Sequence, residues 1–214
     1  MEVTSIPRHV PDASERASLV RRARFLAWLG VGWHGGEATV GIAAGIAAGS
    51  IALVGFGGDS LVESLAGFIL LWRLAGARAA SRAAERRAQK LIGATFWLLA
   101  AYIGIEGIRA LAGGDHPEVS YVGIALAGVT LVTMPPLAAA KARVGERLGS
   151  SATKSEGRQN LLCAYLSATL LLGLGANAAF GWWWADPATA LLIAGVALRE
   201  GREAWAGNAC DDCC

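Results

Sequence analysis

Six stretches of the chain stay apolar for about twenty residues each, at about 25–46, 49–72, 91–112, 119–140, 157–179 and 183–199, with polar or basic segments between them. A helix rising ~1.5 Å per residue needs ~20 apolar residues to cross the hydrocarbon core of a bilayer. The pattern therefore predicts an all-α membrane protein with six transmembrane helices. It divides the chain into a polar arm over 1–24, a six-helix membrane domain over 25–199 and a short Cys-rich tail over 200–214. The sixth run is the shortest.

Several runs are interrupted by polar residues at helical spacing. Asp59 and Glu63 in the second run are four apart, as are Gln159 and Cys163, and then Cys163 and Ser167, in the fifth. Residues four apart share one helical face. A carboxylate at mid-membrane costs ~3 kcal/mol on insertion scales, so two on one stripe call for a compensating partner or a wet cavity. In the first run His34 and Glu37 are three apart. By the ~1.5 Å rise, Glu37 lies ~18 Å from one end of its span and Asp59 ~15 Å from the end of its own, both near mid-membrane. Two readings of Glu37 stand side by side: an accessory ligand or proton carrier, or a structural acid hydrogen-bonded to His34.

Composition agrees with a membrane protein. With 54% hydrophobic residues, 28 glycines and a mean hydropathy of +0.44, the chain is too apolar for an ordinary soluble domain of 214 residues. Of the 19 Lys and Arg residues, all but Arg109 fall in the N-terminal arm, the second and fourth connections, or just after the last span. The positive-inside rule then places both termini in the cytoplasm of a multi-pass protein of the inner (plasma) membrane. The net charge of +2 describes this topology. Headgroup attraction accounts for basic residues beside spans, so the bilayer rather than nucleic acid is the expected partner. No cleavable signal peptide is expected, because a polar arm precedes a full-length span.

The remaining signals are mostly structural. Gly32-x-x-x-Gly36 and Gly41-x-x-x-Gly45-x-x-x-Gly49 predict close helix packing and an interior first span. Glu106 and Arg109 satisfy each other near the outer end. Met134-Pro135-Pro136 predicts a kink or helix end, and Trp182-Trp183-Trp184 an interfacial aromatic belt. In the tail, Cys210-x-x-Cys213 with Cys214 is a candidate for metal capture, although one such pair supplies only half of a usual zinc site.

Gly49-Ser50-Ile-Ala-Leu53 followed by Asp59-Ser-Leu-Val-Glu63 resembles the second helix of the cation diffusion facilitator (cation efflux) family, where a small-residue run leads to an (H/D)-x-x-x-D ligand pair. Ser155-Glu156-Gly-Arg-Gln159-x-x-x-Cys163 occupies the place of that family's fifth-helix A-D-x-x-H-x-x-x-D, and Trp184-Ala-Asp186-Pro187 resembles the start of its sixth. The resemblance implies a divalent-metal exporter, commonly a zinc/proton antiporter acting as a homodimer, with Asp59, Glu63, Gln159 and Cys163 as the metal set. His34, Glu37 and Ser167 are accessory candidates. This chain departs from the pattern in having Gln159 and Cys163 where the family has His and Asp, and it is expected to belong to a short branch without the family's soluble domain after the sixth helix, with a dimer held by transmembrane helices.

Sulfur and carboxylate donors together suit Zn²⁺ or Cd²⁺ better than Mg²⁺ or Ca²⁺, with Co²⁺, Ni²⁺, Fe²⁺ and Mn²⁺ left open. Metal must displace protons from buried acids and a thiol, so one site serving both ions implies antiport. No nucleophile–base constellation or phosphate-binding loop is present, which argues against an enzyme. The alternatives are a membrane metal sensor or scaffold without transport, and a thiol-redox protein using Cys163 and the tail cysteines.

Overall fold

The computed structural model describes residues 12–73, 82–114 and 116–206. Its elements are α1 (Ala13–Ala48), α2 (Ile51–Arg73), α3 (Arg82–Gly113), α4 (Tyr121–Leu148), α5 (Ser151–Phe180) and α6 (Ala185–Ala206), with no strand among the described residues. The tail cysteines Cys210, Cys213 and Cys214 lie outside them, as does Asp115. Four helices contain a stretch long and apolar enough to cross a membrane: Ile51–Ile69, Lys90–Gly113, Tyr121–Leu148 and Glu156–Phe180. In α1 the apolar run is diluted by glycine, His34 and Glu37, and α6 runs from Asp186 to a charged end at Arg199, Glu200, Arg202 and Glu203.

The helices extend well past the apolar runs. α1 starts at Ala13, where Asp12 accepts a hydrogen bond from the Glu15 backbone N–H at 2.7 Å and so satisfies one of the open donors of the first turn. Arg147 near the end of α4 then reaches Glu15 at 2.7 Å. α4 and α5 are joined by Gly149 and Ser150 alone. Gly149 takes the left-handed conformation that closes α4 (φ +65°), and the Ser150 hydroxyl accepts from Thr153 N–H to open α5.

Of the kink or helix end expected at Met134-Pro135-Pro136, the helix end is not found: α4 runs on for three further turns to Leu148. The prolines sit on its partly exposed side, and packing of the opposite face through Met134 and Ala138 keeps the helix intact. Lys141 accordingly lies inside a helix and is buried, not in a loop at the membrane surface.

α2 is the hub. It packs against α1, α3, α5 and α6, while α4 pairs with α5 and α3 with α6. In its apolar stretch 61% of residues are buried, against 44% in α5 and 28% in α3 and in α4, so α2 is the most enclosed of these helices. α1, expected at the interior, is two-faced: Ala27, Val31, His34, Glu37 and Gly41 are buried, and Phe25, Trp28 and Ile46 are exposed. Its glycines explain this one-sided packing. A Cβ at Gly45 would lie 2.7 Å from the Val54 backbone N, and one at Gly57 would lie 2.7 Å from the Ile42 backbone N. Backbone thus meets backbone along one face of α1, whereas Gly32 and Gly36 contact nothing. The central core of Leu53, Phe56, Ile103, Leu166, Leu170 and Ile193 fills the space between α2, α3, α5 and α6.

At the opposite end from the basic loops, Asp186 ties α6 to α2. Its carboxylate accepts from the Ser50 hydroxyl and, at 3.3 Å, from the Ala52 backbone N–H, so an acid of one helix caps the start of another. The Trp182, Trp183 and Trp184 run follows the end of α5: Trp182 stacks on Trp184 and meets Phe180 at a tilt, and Trp183 stacks on His116 at 5.2 Å. Trp182 and Trp184 are about half exposed, as interfacial aromatic residues should be.

Candidate metal centre

The close approach of α1 and α2 brings their polar residues face to face. Glu37, one turn beyond His34, is 2% exposed and would be costly to bury alone. It is not alone. The Ser60 hydroxyl of α2 donates to Glu37 Oε2 at 2.8 Å, the Thr130 hydroxyl of α4 donates to Oε1, and the Cys163 thiol of α5 donates to Oε2 at 3.7 Å. Four helices therefore meet on one carboxylate.

His34 Nδ1 lies 3.3 Å from Glu37 Oε2 and 3.1 Å from Glu63 Oε2. A ring nitrogen between two carboxylates needs a proton or a metal ion between them. Glu63 Oε2, though near His34, lies off the angle of a hydrogen bond and is left with an unused lone pair in a buried place. Such an orphaned oxygen calls for a cation. His34, Glu63 and Cys163 each offer a ligand atom, and the three atoms lie within 4.8 Å of one another, all buried. Imidazole nitrogen, carboxylate oxygen and thiolate sulfur are the donor types that bind zinc-like ions. Glu37 contacts two of the three, His34 at 3.3 Å and Cys163 at 3.7 Å.

Of the residues singled out in the sequence, Glu63 and Cys163 come together with His34 and Glu37. Asp59 is buried, 4% exposed, but is not part of the three-ligand group; its carboxylate lies within Coulombic reach of Glu200 on α6 and of Glu37. Gln159 lies between two spaces. It lines a cavity of about 310 Å³ between the basic-loop ends of α3, α5 and α6, whose walls include Arg158, Glu200 and Glu203. It also lines a much smaller void of about 10 Å³ that reaches His34 and Glu63. A space of that size holds about one water. Ser167 is turned back on its own helix, donating to the Cys163 carbonyl at 2.7 Å. The Glu106–Arg109 pair forms as expected, at 2.8 Å and largely exposed.

Pattern reading missed three partners. Ser60 stands between the two acids of α2, Thr130 is one of two threonines in an apolar helix, and Lys141 looks like one loop charge among many. For Thr130 the only signal is its place on the buried stripe Ala127, Thr130, Met134, Ala138, Lys141 at spacings of three and four.

The Cation efflux transmembrane domain family model matches residues 28–205, which takes in all of α2 to α5, nearly all of α6 and more than half of α1. No curated protein matches the chain individually. A six-helix membrane bundle with a buried nitrogen, oxygen and sulfur donor set and a domain match over most of its length belongs, therefore, to the cation efflux family of metal-cation transporters.

Proposed function

We propose that the protein exports a zinc-like divalent ion in exchange for protons, with His34, Glu63 and Cys163 as the ion's ligands and Glu37 orienting them. The observation that supports this reading is the burial of those three donors within 4.8 Å of one another, contributed by α1, α2 and α5. A site built by three separate helices changes geometry whenever the helices shift, which is what a carrier needs in order to bind on one side and release on the other.

Asp59 and Gln159 act in this scheme as the approach. Gln159 faces both the 310 Å³ cavity at the basic-loop end and the void beside His34. Asp59 lies near Glu200, which lines the same cavity. An ion arriving from that end meets acidic and amide oxygen before it reaches the nitrogen and sulfur of the inner set. Exchange with protons follows from charge. Two carboxylates, an imidazole and a thiol this close cannot all be deprotonated without a cation among them, so the empty centre carries protons that a metal replaces. Acidifying the loading side therefore opposes metal binding, and an outward-to-inward proton gradient drives export. The bundle works as a homodimer held by its membrane helices.

The test is flux in proteoliposomes holding a pH-sensitive dye, with a panel of divalent ions and an imposed pH gradient. Zn²⁺ and Cd²⁺ movement accompanied by proton counterflow is the expected result. Binding of either ion with no flux makes the protein a sensor, and flux insensitive to the gradient removes the antiport step.

A further inference from the structure

One cluster near the metal centre plays no part in the scheme so far. Lys141 of α4 is 3% exposed, with its ammonium 3.2 Å from Glu156 Oε2 and donating to Asn160 Oδ1 at 3.0 Å. Both partners belong to α5, and Asn160 in turn donates to Met134 Sδ at 3.2 Å. Burying a lysine beside a metal-cation site is costly and repels the cargo, so its presence needs a reason.

The cluster is built for that ammonium. A Cβ at Gly30 would come within 2.6 Å of Lys141 Nζ, so the glycine lets the ammonium lie against α1 one helical turn before His34. Gly157 does the same for the stem: a Cβ there would lie 3.0 Å from the Ala138 carbonyl and 3.4 Å from Lys141 Cβ. Lys141, Glu156 and Asn160 share the small void with His34, Glu63 and Gln159. Glu156 Oε2 is buried and has no hydrogen bond of good geometry, so Glu156 holds Lys141 by charge, while the directed bond of the ammonium goes to Asn160. An ammonium on a four-carbon stem is the most movable cation that a protein can place there.

Building on the metal-site reading above, we propose that Lys141 is a tethered cation that competes with the transported ion for the carboxylates of the centre, and that Glu156 holds it back. In the empty carrier Lys141 supplies part of the positive charge that the centre requires. When a divalent ion binds, Lys141 is repelled towards Glu156, which keeps the affinity low enough for release. Lys141 thus acts as a positioning residue that tunes affinity without touching the ion.

The role predicts opposite signs for two substitutions. Lys141→Gln removes the competitor and keeps a hydrogen-bonding side chain for Glu156 and Asn160, so metal binds about tenfold more tightly. Glu156→Gln removes the restraint, Lys141 turns towards Glu63 across the void, and metal binds about tenfold more weakly. A tenfold change is the order expected for one unit charge several ångströms away in a protein interior. The measurement is Cd²⁺ titration of detergent-purified protein, read by metal–thiolate absorption, with Cys210, Cys213 and Cys214 replaced by Ser so that Cys163 is the single thiol. If the wild-type band appears but both substitutions shift affinity in one direction, or neither shifts it, the competing role is wrong and the metal site stands. Absence of the band in the wild-type background overturns both. Should Lys141→Gln not fold, Glu156→Gln alone decides: unchanged binding means a merely structural pair.

Discussion

Glu63→Gln is expected to lower metal-dependent flux at least about a hundredfold while leaving the protein folded and monodisperse in detergent. The substitution keeps the shape of the side chain and an oxygen at the same reach, so packing against α1 is preserved. What it removes is a carboxylate that faces His34 Nδ1 at 3.1 Å, lies within 4.8 Å of the Cys163 sulfur and, unlike Glu37, has an oxygen with no hydrogen-bond partner among the described residues. Removing one partner of a buried charge pair costs about 3–5 kcal/mol, and ~1.4 kcal/mol is a tenfold change in affinity. The lower bound of about a hundredfold follows. Glu106→Gln is the matched control. Among the described residues Glu106 pairs with the largely exposed Arg109, and an exposed pair is worth ~0–1 kcal/mol, so flux is expected to stay within about twofold of wild type. Equal losses in the two variants would mean that Glu63 matters for folding and not for the ion.

Cys163→Ser is expected to separate ions by softness. The thiol is fully buried, 3.7 Å from Glu37 and in the three-donor group with His34 and Glu63. Serine is nearly the same size and still donates a hydrogen bond, so the helix bundle has little reason to change. Its hydroxyl is a hard, weak ligand where the thiolate was a soft, strong one. Cd²⁺ transport is expected to fall at least about tenfold and Zn²⁺ transport by several fold, with Mn²⁺ transport little altered. The check is initial rates for the three ions in one liposome preparation. Parallel losses would mean that sulfur is not a ligand.

The fold was legible because its determinants are local and repetitive. Apolar runs of spanning length, the basic residues between them and the glycine spacing of α1 each predict a helix or a close helix contact without knowledge of the rest. The pair Asp59 and Glu63 was legible for the same reason, since four-residue spacing is a property of one helix. What escaped was the choice of partners across helices. Asp59 and Glu63 share a stripe, yet only Glu63 joins His34 of α1 and Cys163 of α5 in the three-ligand group among the described residues. Glu37 had two open readings, and the structure gives it His34, Ser60, Thr130 and Cys163 together. Lys141 looks like a loop charge in the sequence because the apolar run of α4 stops before it. α4 continues past that boundary, and its buried stripe continues with it to Gly145.

These points converge on a single physical claim, that a divalent ion sits among nitrogen, oxygen and sulfur donors supplied by α1, α2 and α5. X-ray absorption at the zinc edge tests it most directly, on protein loaded with one equivalent of Zn²⁺ and with Cys210, Cys213 and Cys214 replaced by Ser. The expected spectrum has one sulfur at about 2.3 Å and nitrogen or oxygen neighbours at about 2.0–2.2 Å, and the sulfur contribution disappears on Cys163→Ser. A shell of nitrogen and oxygen alone in the protein that retains Cys163 would contradict it.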